Sequence, residues 1–164
     1  LVQEAGTLGG APGDAAERAA VLPEGHSQVA VLQDSGAVDD LEPAIEFYRR
    51  AVGLRVGRRL FGGTVVEMVG ASAPIYLLTR AAGSASNTRV PAPRDYRRHW
   101  TPVHLDFVVE DIKAAIARVK SAGATQEGGT AHNSWGDLAQ FADPFGHGFC
   151  LIEFRNRGYD EIAT

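Results

Sequence analysis

The stretch that decides the fold is HLDFVVEDIKAAIARVKSAG, residues 104–123. HLDFVV alternates as a strand does: Leu105, Phe107 and Val109 are apolar on one side, with His104, Asp106 and Val108 on the other. Asp111 then opens a helix in which Ile112, Ala115, Ile116 and Val119 keep the i, i+3, i+4, i+7 spacing, and Gly123 ends it. The same plan stands earlier in the chain. QVAVL (28–32) reads as a strand, Asp40 as a helix N-cap, and Leu41, Ala44, Ile45 and Tyr48 as the apolar stripe, with Gly53 the stop. The two capping aspartates are 111 − 40 = 71 residues apart, and an Ala-Ile pair follows each at the same distance. Such self-similarity points to a duplicated unit.

Strand-like material follows each helix. In the first half it is Leu54–Leu60, Thr64–Val69 and Ile75–Thr79; in the second it is Ala124–Gly128, Leu138–Ala142 and Gly148–Phe154. Gly62-Gly63, Ala73-Pro74, Asn133–Gly136 and Asp143–Gly146 mark the turns. The expected architecture is therefore α+β, with two tandem βαβββ modules at 26–80 and 104–155 inside one domain spanning 26–155. Residues 81–103, rich in Pro, Ser, Ala and Arg, read as the linker between them. Residues 1–25 hold six Ala, five Gly, two Pro and no aromatic residue, and read as a flexible N-terminal extension. Residues 156–164 read as a C-terminal tail.

Composition narrows the function. The chain has 164 residues, 45% hydrophobic and 22% charged, which suits one globular domain. Sixteen Lys and Arg against twenty Asp and Glu give a net charge of -4, with no dense basic run to track a phosphate backbone, so no nucleic-acid partner is expected. One cysteine excludes an intramolecular disulfide framework and a multi-cysteine zinc site. No apolar run approaches the roughly 20 residues that span a bilayer, so the expectation is no membrane partner and a cytoplasmic location. No Ser-His-Asp arrangement, P-loop or dinucleotide fingerprint is legible.

The FYRRAVGL ending of the first helix (Phe47–Leu54), HLDFVVED (His104–Asp111) and ADPFGHGFCLIEF (Ala142–Phe154) together resemble the vicinal oxygen chelate superfamily, which includes glyoxalase I, extradiol dioxygenases and bleomycin-resistance proteins. The resemblance covers about residues 26–155. It implies that the two modules form a cupped half-barrel around one pocket, within a chain or across a homodimer. It also implies where metal ligands stand in the superfamily's metal enzymes: early in the first strand and in the last strand of each module.

Mapped onto this chain, those positions are Gln28, Tyr76, His104 and Cys150. Both carboxylate positions are thus occupied by other residues. Glu153 stands three residues beyond Cys150, on the opposite face by strand parity, and reads as an exposed strand residue. Hard cations want oxygen anions, and a facial-triad iron wants two His and a carboxylate. The expectation is therefore no metal and no cofactor; a metal, if bound, would use Gln28, His104 and Cys150.

Each residue also has a plainer reading. Cys150 in an apolar strand reads as a small buried hydrophobe. His104 reads as a hydrogen-bonded pocket histidine, or with Asp106 as a catalytic acid–base pair. Tyr76 and Trp135 are amphipathic surfaces suited to flat ligands, or core residues. Arg94, Arg97, Arg98 and His99 read as solvated linker, and His132 and His147 as exposed turn residues. Three functions remain open, the last a regulatory or interaction module without turnover. The first is a metal-independent small-molecule-binding protein of the drug-sequestering kind, with Gln28, Tyr76, His104, Trp135 and Cys150 about a small organic ligand. The alternative is an enzyme of the superfamily (lyase, isomerase or dioxygenase), with His104 and Asp106 catalytic.

Overall fold

The computed structural model describes residues 41–85, 89, 92–101 and 103–164, and the backbone of 29–33. The extension at 1–25, His26, Gln28 and Asp40 lie outside the described residues. Among the described residues two α-helices and nine strands follow one another as β1 (Val29–Gln33), α1 (Glu42–Val52), β2 (Arg55–Leu60), β3 (Val65–Val69), β4 (Ile75–Thr79), β5 (Leu105–Val108), α2 (Ile112–Ser121), β6 (Thr125–Gln126), β7 (Ala131–Asn133), β8 (Gly136–Ala142) and β9 (Gly148–Phe154). The Ala124–Gly128 strand expected from sequence shrinks to two residues, and the added β7 pairs along β8.

Each half forms its own sheet with one ordering rule. In the first sheet the order is β1-β4-β3-β2, and in the second β5-β9-β8-β6, with β7 also on β8. The first strand of each half runs parallel to the last, and the remaining pairs are antiparallel. This is the α+β plan that the repeat predicts, twice over. Among the described strands no backbone ladder joins the two sheets.

What joins the halves is side-chain packing. Helices α1 and α2 pack together, and one apolar core runs through both halves. Phe47 on α1 meets Phe149 on β9 and Phe145 in the preceding turn, both edge-on, at ring separations of 6.3 and 6.0 Å. Tyr48 on α1 donates a buried 2.8 Å hydrogen bond to Asp143. Asp143 also accepts the backbone N–H groups of Phe145 and His147, and its second oxygen lies 3.0 Å from His147 Nδ1. The DPFG turn is thereby fastened to the first helix. His147 is half-buried in this arrangement and is not the exposed turn residue that its position suggested.

The helix ends differ. Asp111 caps α2 by accepting from Ala114 N at 2.9 Å, and Glu153 Oε2 accepts from Ile112 N at 2.7 Å. Glu153 is therefore half-buried on the helix side of β9, where the exposed reading had left it free. Helix α1 begins at Glu42, with Leu41 as its N-cap and no side-chain capping bond; Gly53 ends it at φ 75°, the left-handed region that suits glycine.

Candidate functional site

Strand parity separates the faces of the second sheet. Leu105, Phe107, Phe149 and Leu151 belong to the helix-side core. Asp106 pairs directly with Cys150 and Val108 with Ile152, all facing the other way. This register is the one that HLDFVV and GFCLIEF imply. On the free face His104 Nε2 lies 3.2 Å from Asp106 Oδ1, and the donor atoms of His104, Asp106 and Cys150 all lie within 4.8 Å of one another. The side chains of His104 and Asp106 are 36% and 45% exposed, whereas Cys150 is only 2% exposed. The site is thus a buried thiol beneath an accessible imidazole–carboxylate pair.

Burial above all, then the charge and hydrogen bonding of Asp106, pushes the Cys150 thiol up to about 12. It is a protonated, weakly polar floor at neutral pH, and no thiolate nucleophile. The donor set does not fit a hard divalent cation, which needs more anionic oxygen than one rim carboxylate. Its atom types fit zinc better, but the metal would have to displace a proton that the thiol holds strongly.

Aromatic rings stand at both ends of this face. At the Gly148 end, Trp100 from the linker lies so close that a Cβ on Gly148 would meet its ring at 2.7 Å. Trp100 packs edge-on against His104 at 5.3 Å and carries the Arg98 guanidinium on its face at 4.7 Å. Arg98 is ion-paired with Glu127. This part of the linker is therefore docked on the second module, where composition had read it as solvated. A cavity of about 510 Å³, lined in part by Tyr96, Arg98, Glu127 and Phe145, opens beside it.

At the other end the chain turns back. Residues Gly158–Glu161 form a 3-10 turn that sets Tyr159 against Phe154 at 4.8 Å and Trp135 at 4.9 Å. Burial, then the charge of Asp106, pushes the Tyr159 hydroxyl up, so this ring stands within electrostatic reach of the site. Trp135 thus backs Tyr159. Sequence reasoning missed both Tyr159 and Trp100, because each lies outside the repeated modules; the hint was an aromatic residue just beyond either edge of the second module.

In the first sheet the position equivalent to Cys150 is Tyr76, which pairs with Ala30 as Cys150 pairs with Asp106. Tyr76 donates a 2.8 Å hydrogen bond to Glu67, a carboxylate 6% exposed on the neighbouring strand. Arg58 holds the same carboxylate through two of its nitrogens. These bonds, led by that from Arg58, keep Glu67 below the usual carboxylate range, and the bond to Glu67 raises Tyr76. The sequence reading missed Glu67 and Arg58 altogether. Tyr76 is thus tied to this cluster, while His104, Asp106 and Cys150 gather on the second sheet.

Two sheets of this order, each crossed by one helix, define a glyoxalase-type fold, and comparison with known proteins agrees. A glyoxalase-like domain model matches residues 29–152, and the chain belongs to that family. A search of curated proteins finds no match. Among solved structures the chain is similar to TnmS3, an antibiotic binding protein from Streptomyces sp. CB03234, at 20% identity, covering 80% of this chain and 96% of that one with a TM-score of 0.54. Lactoylglutathione lyase from Agrobacterium tumefaciens matches at 18% identity, 80% and 94% coverage and a TM-score of 0.52. The fosfomycin resistance protein FosX from Mesorhizobium loti matches at 14% identity, 87% and 100% coverage and a TM-score of 0.57. At these identities the likeness is one of fold.

Proposed function

We propose that this protein binds a small organic molecule by affinity alone, without a metal ion or cofactor, as drug-sequestering members of its superfamily do. One observation carries the reading: the strand position facing Asp106 on the free surface holds a buried, protonated thiol. Its counterpart in the first module is a tyrosine already bonded to Glu67. Neither supplies the carboxylate that the superfamily's metal enzymes place there. The family likeness to an antibiotic binding protein and to a fosfomycin resistance protein supports the same reading.

In this proposal the free faces of the two sheets make one cupped half-barrel. Gln28, Tyr76, His104, Trp135 and Cys150 contribute to the ligand pocket, and Asp106 orients His104. The protein acts in the cytoplasm as a homodimer, with neither nucleic acid nor membrane as partner; among the described residues no helix is long and apolar enough to cross a bilayer.

The test is metal analysis of tag-free protein purified without chelator, joined to ligand titration with and without EDTA. Substoichiometric metal and binding indifferent to EDTA are expected. Stoichiometric Fe, Mn, Ni or Zn that EDTA removes together with binding overturns the reading.

A second reading, an enzyme of the same superfamily, is favoured by the 3.2 Å His104–Asp106 contact, since a carboxylate that orients an imidazole prepares it as a general base. Conversion of a bound compound to product, abolished by His104→Ala with binding retained, would establish it.

A further inference from the structure

We propose that the free face of the second sheet takes a planar aromatic molecule carrying a positive charge, with Asp106 as its counter-ion and Trp100 and Tyr159 as its ring walls. The inference rests on the small-molecule-binding reading and narrows its ligand class.

The charge argument starts from the neighbouring arginines. Arg97 is paired with Asp95, Arg98 with Glu127, Arg155 with Asp137 and Arg157 with Glu161. Each spends its charge on a carboxylate other than Asp106. Asp106 keeps a half-exposed side chain whose ion-pair partner, His104, is a cation only when protonated. Its other neighbour is the buried sulfur of Cys150. The carboxylate is thus open to a ligand cation, and the chain's net charge of -4 favours the approach of one.

The ring argument is independent. Trp100 and Tyr159 are 40% and 47% exposed, large apolar surfaces left facing solvent at opposite ends of the face. Both are braced: Trp100 by His104 and Arg98, Tyr159 by Trp135 and Phe154. Braced rings lose little freedom on binding. Between them the open part of the face is Asp106 and Val108 of β5, Val108 being 62% exposed, while Cys150 and Ile152 of β9 are already covered. Indole and phenol faces attract cations and repel anions, so walls and counter-ion select the same sign.

The experiment titrates the full chain, in EDTA at neutral pH, with three tricyclic probes: 9-aminoacridinium (cation), acridone (neutral) and acridine-9-carboxylate (anion). The cation is expected to bind about tenfold more tightly than acridone, with the anion weakest. Asp106→Asn should remove that preference, and Asp106→Glu should restore it. Tyr159→Leu and Trp100→Leu should each weaken the cation and acridone alike, by about fivefold. Thermal melts of each variant confirm folding, and the Glu variant keeps the charge test decisive if Asn fails to fold. Equal affinity for cation and neutral probe, or a preference that survives Asp106→Asn, overturns the proposal and leaves metal-free binding standing. Binding of any probe only after added Zn²⁺ overturns both.

Discussion

The two modules share strand order and helix placement yet treat their free faces in opposite ways. The first closes its face with a polar chain running Arg58–Glu67–Tyr76 across three strands, its carboxylate buried and bonded from both sides. The second leaves His104 and Asp106 open over a buried thiol, between two aromatic walls. Duplication fixes where side chains point, and divergence decides whether a position is spent on stability or kept for a ligand. The first face is accordingly tied up in its own hydrogen bonds, whereas the second keeps its polar pair exposed.

The halves are nevertheless fastened to each other, and Asp143 is the joint. Asp143→Ala removes the acceptor for Tyr48 Oη and for two backbone N–H groups, and should cost about 3 kcal/mol or more because those donors stay buried. Tyr48→Phe should cost about 1–2 kcal/mol. Urea unfolding followed by tryptophan fluorescence and far-UV circular dichroism checks both. A loss below about 0.5 kcal/mol for Asp143→Ala, within the range of an ordinary surface change, would show that the modules stand independently. Burial and the neighbouring Asp143 also hold the Tyr48 hydroxyl well above its ordinary value. An unfolded chain ionises it first as pH rises past about 10, so stability falls there, and Tyr48→Phe should blunt that alkaline slope.

The asymmetry between the faces gives the next effect. Glu67→Leu leaves Tyr76 Oη and Arg58 without their acceptor and should destabilise by about 2 kcal/mol. Asp106→Asn, on an exposed rim, should cost no more than about 0.5 kcal/mol. Equal losses by chemical denaturation would erase the distinction between a sealed face and an open one.

Cys150 sharpens the same contrast. With its thiol held protonated to about 12 against an ordinary 9.0, the unfolded chain gives up this proton first. Its stabilising contribution is therefore complete below about pH 9 and drains away between about 9 and 12. At pH 8 iodoacetamide should label the native protein far more slowly than the urea-unfolded chain. Rapid native labelling would mean that the thiol is neither buried nor protonated, and the case against a metal ligand would weaken with it.

Why parity reads cleanly in one module and leaves Arg58 and Glu67 of the other unread is a matter of strand regularity. HLDFVV and GFCLIEF alternate without interruption, so a period of two places Asp106, Cys150 and Glu153 correctly. Strand β2 does not: its register against β3 slips between Val56 and Arg58, and the bulge brings Arg58 opposite Glu67. Gly57 marks the spot, since a Cβ there would stand 2.8 Å from Glu67 Oε2. Regular alternation would have put Arg58 on the wrong face, and nothing local signals the slip except one glycine. Trp100 and Tyr159 were illegible for another reason. They reach the site through the linker and the terminal turn, whose docking depends on tertiary contacts with Gly148 and Phe154 that carry no periodic signal.

The smallest effect concerns the helix starts, where the modules differ again. Helix α2 has two side-chain acceptors on its first turn, Asp111 for Ala114 N and Glu153 for Ile112 N; α1, capped by Leu41, has no side-chain bond at that cap. Asp111→Ala should therefore cost about 1 kcal/mol, the usual worth of an N-cap, whereas Leu41→Ala changes a buried apolar contact and no cap. Glu153→Gln keeps an oxygen acceptor but drops the negative charge beside the helix N-terminus, so about 0.3–1 kcal/mol is expected. Global stability alone cannot assign such small losses, but amide hydrogen exchange can. Asp111→Ala should accelerate exchange at Ala114 most, and Glu153→Gln at Ile112 most. If both variants speed both amides equally, the two acceptors act as one unit on the helix end, and the strand-borne contact from β9 has no separate role in starting α2.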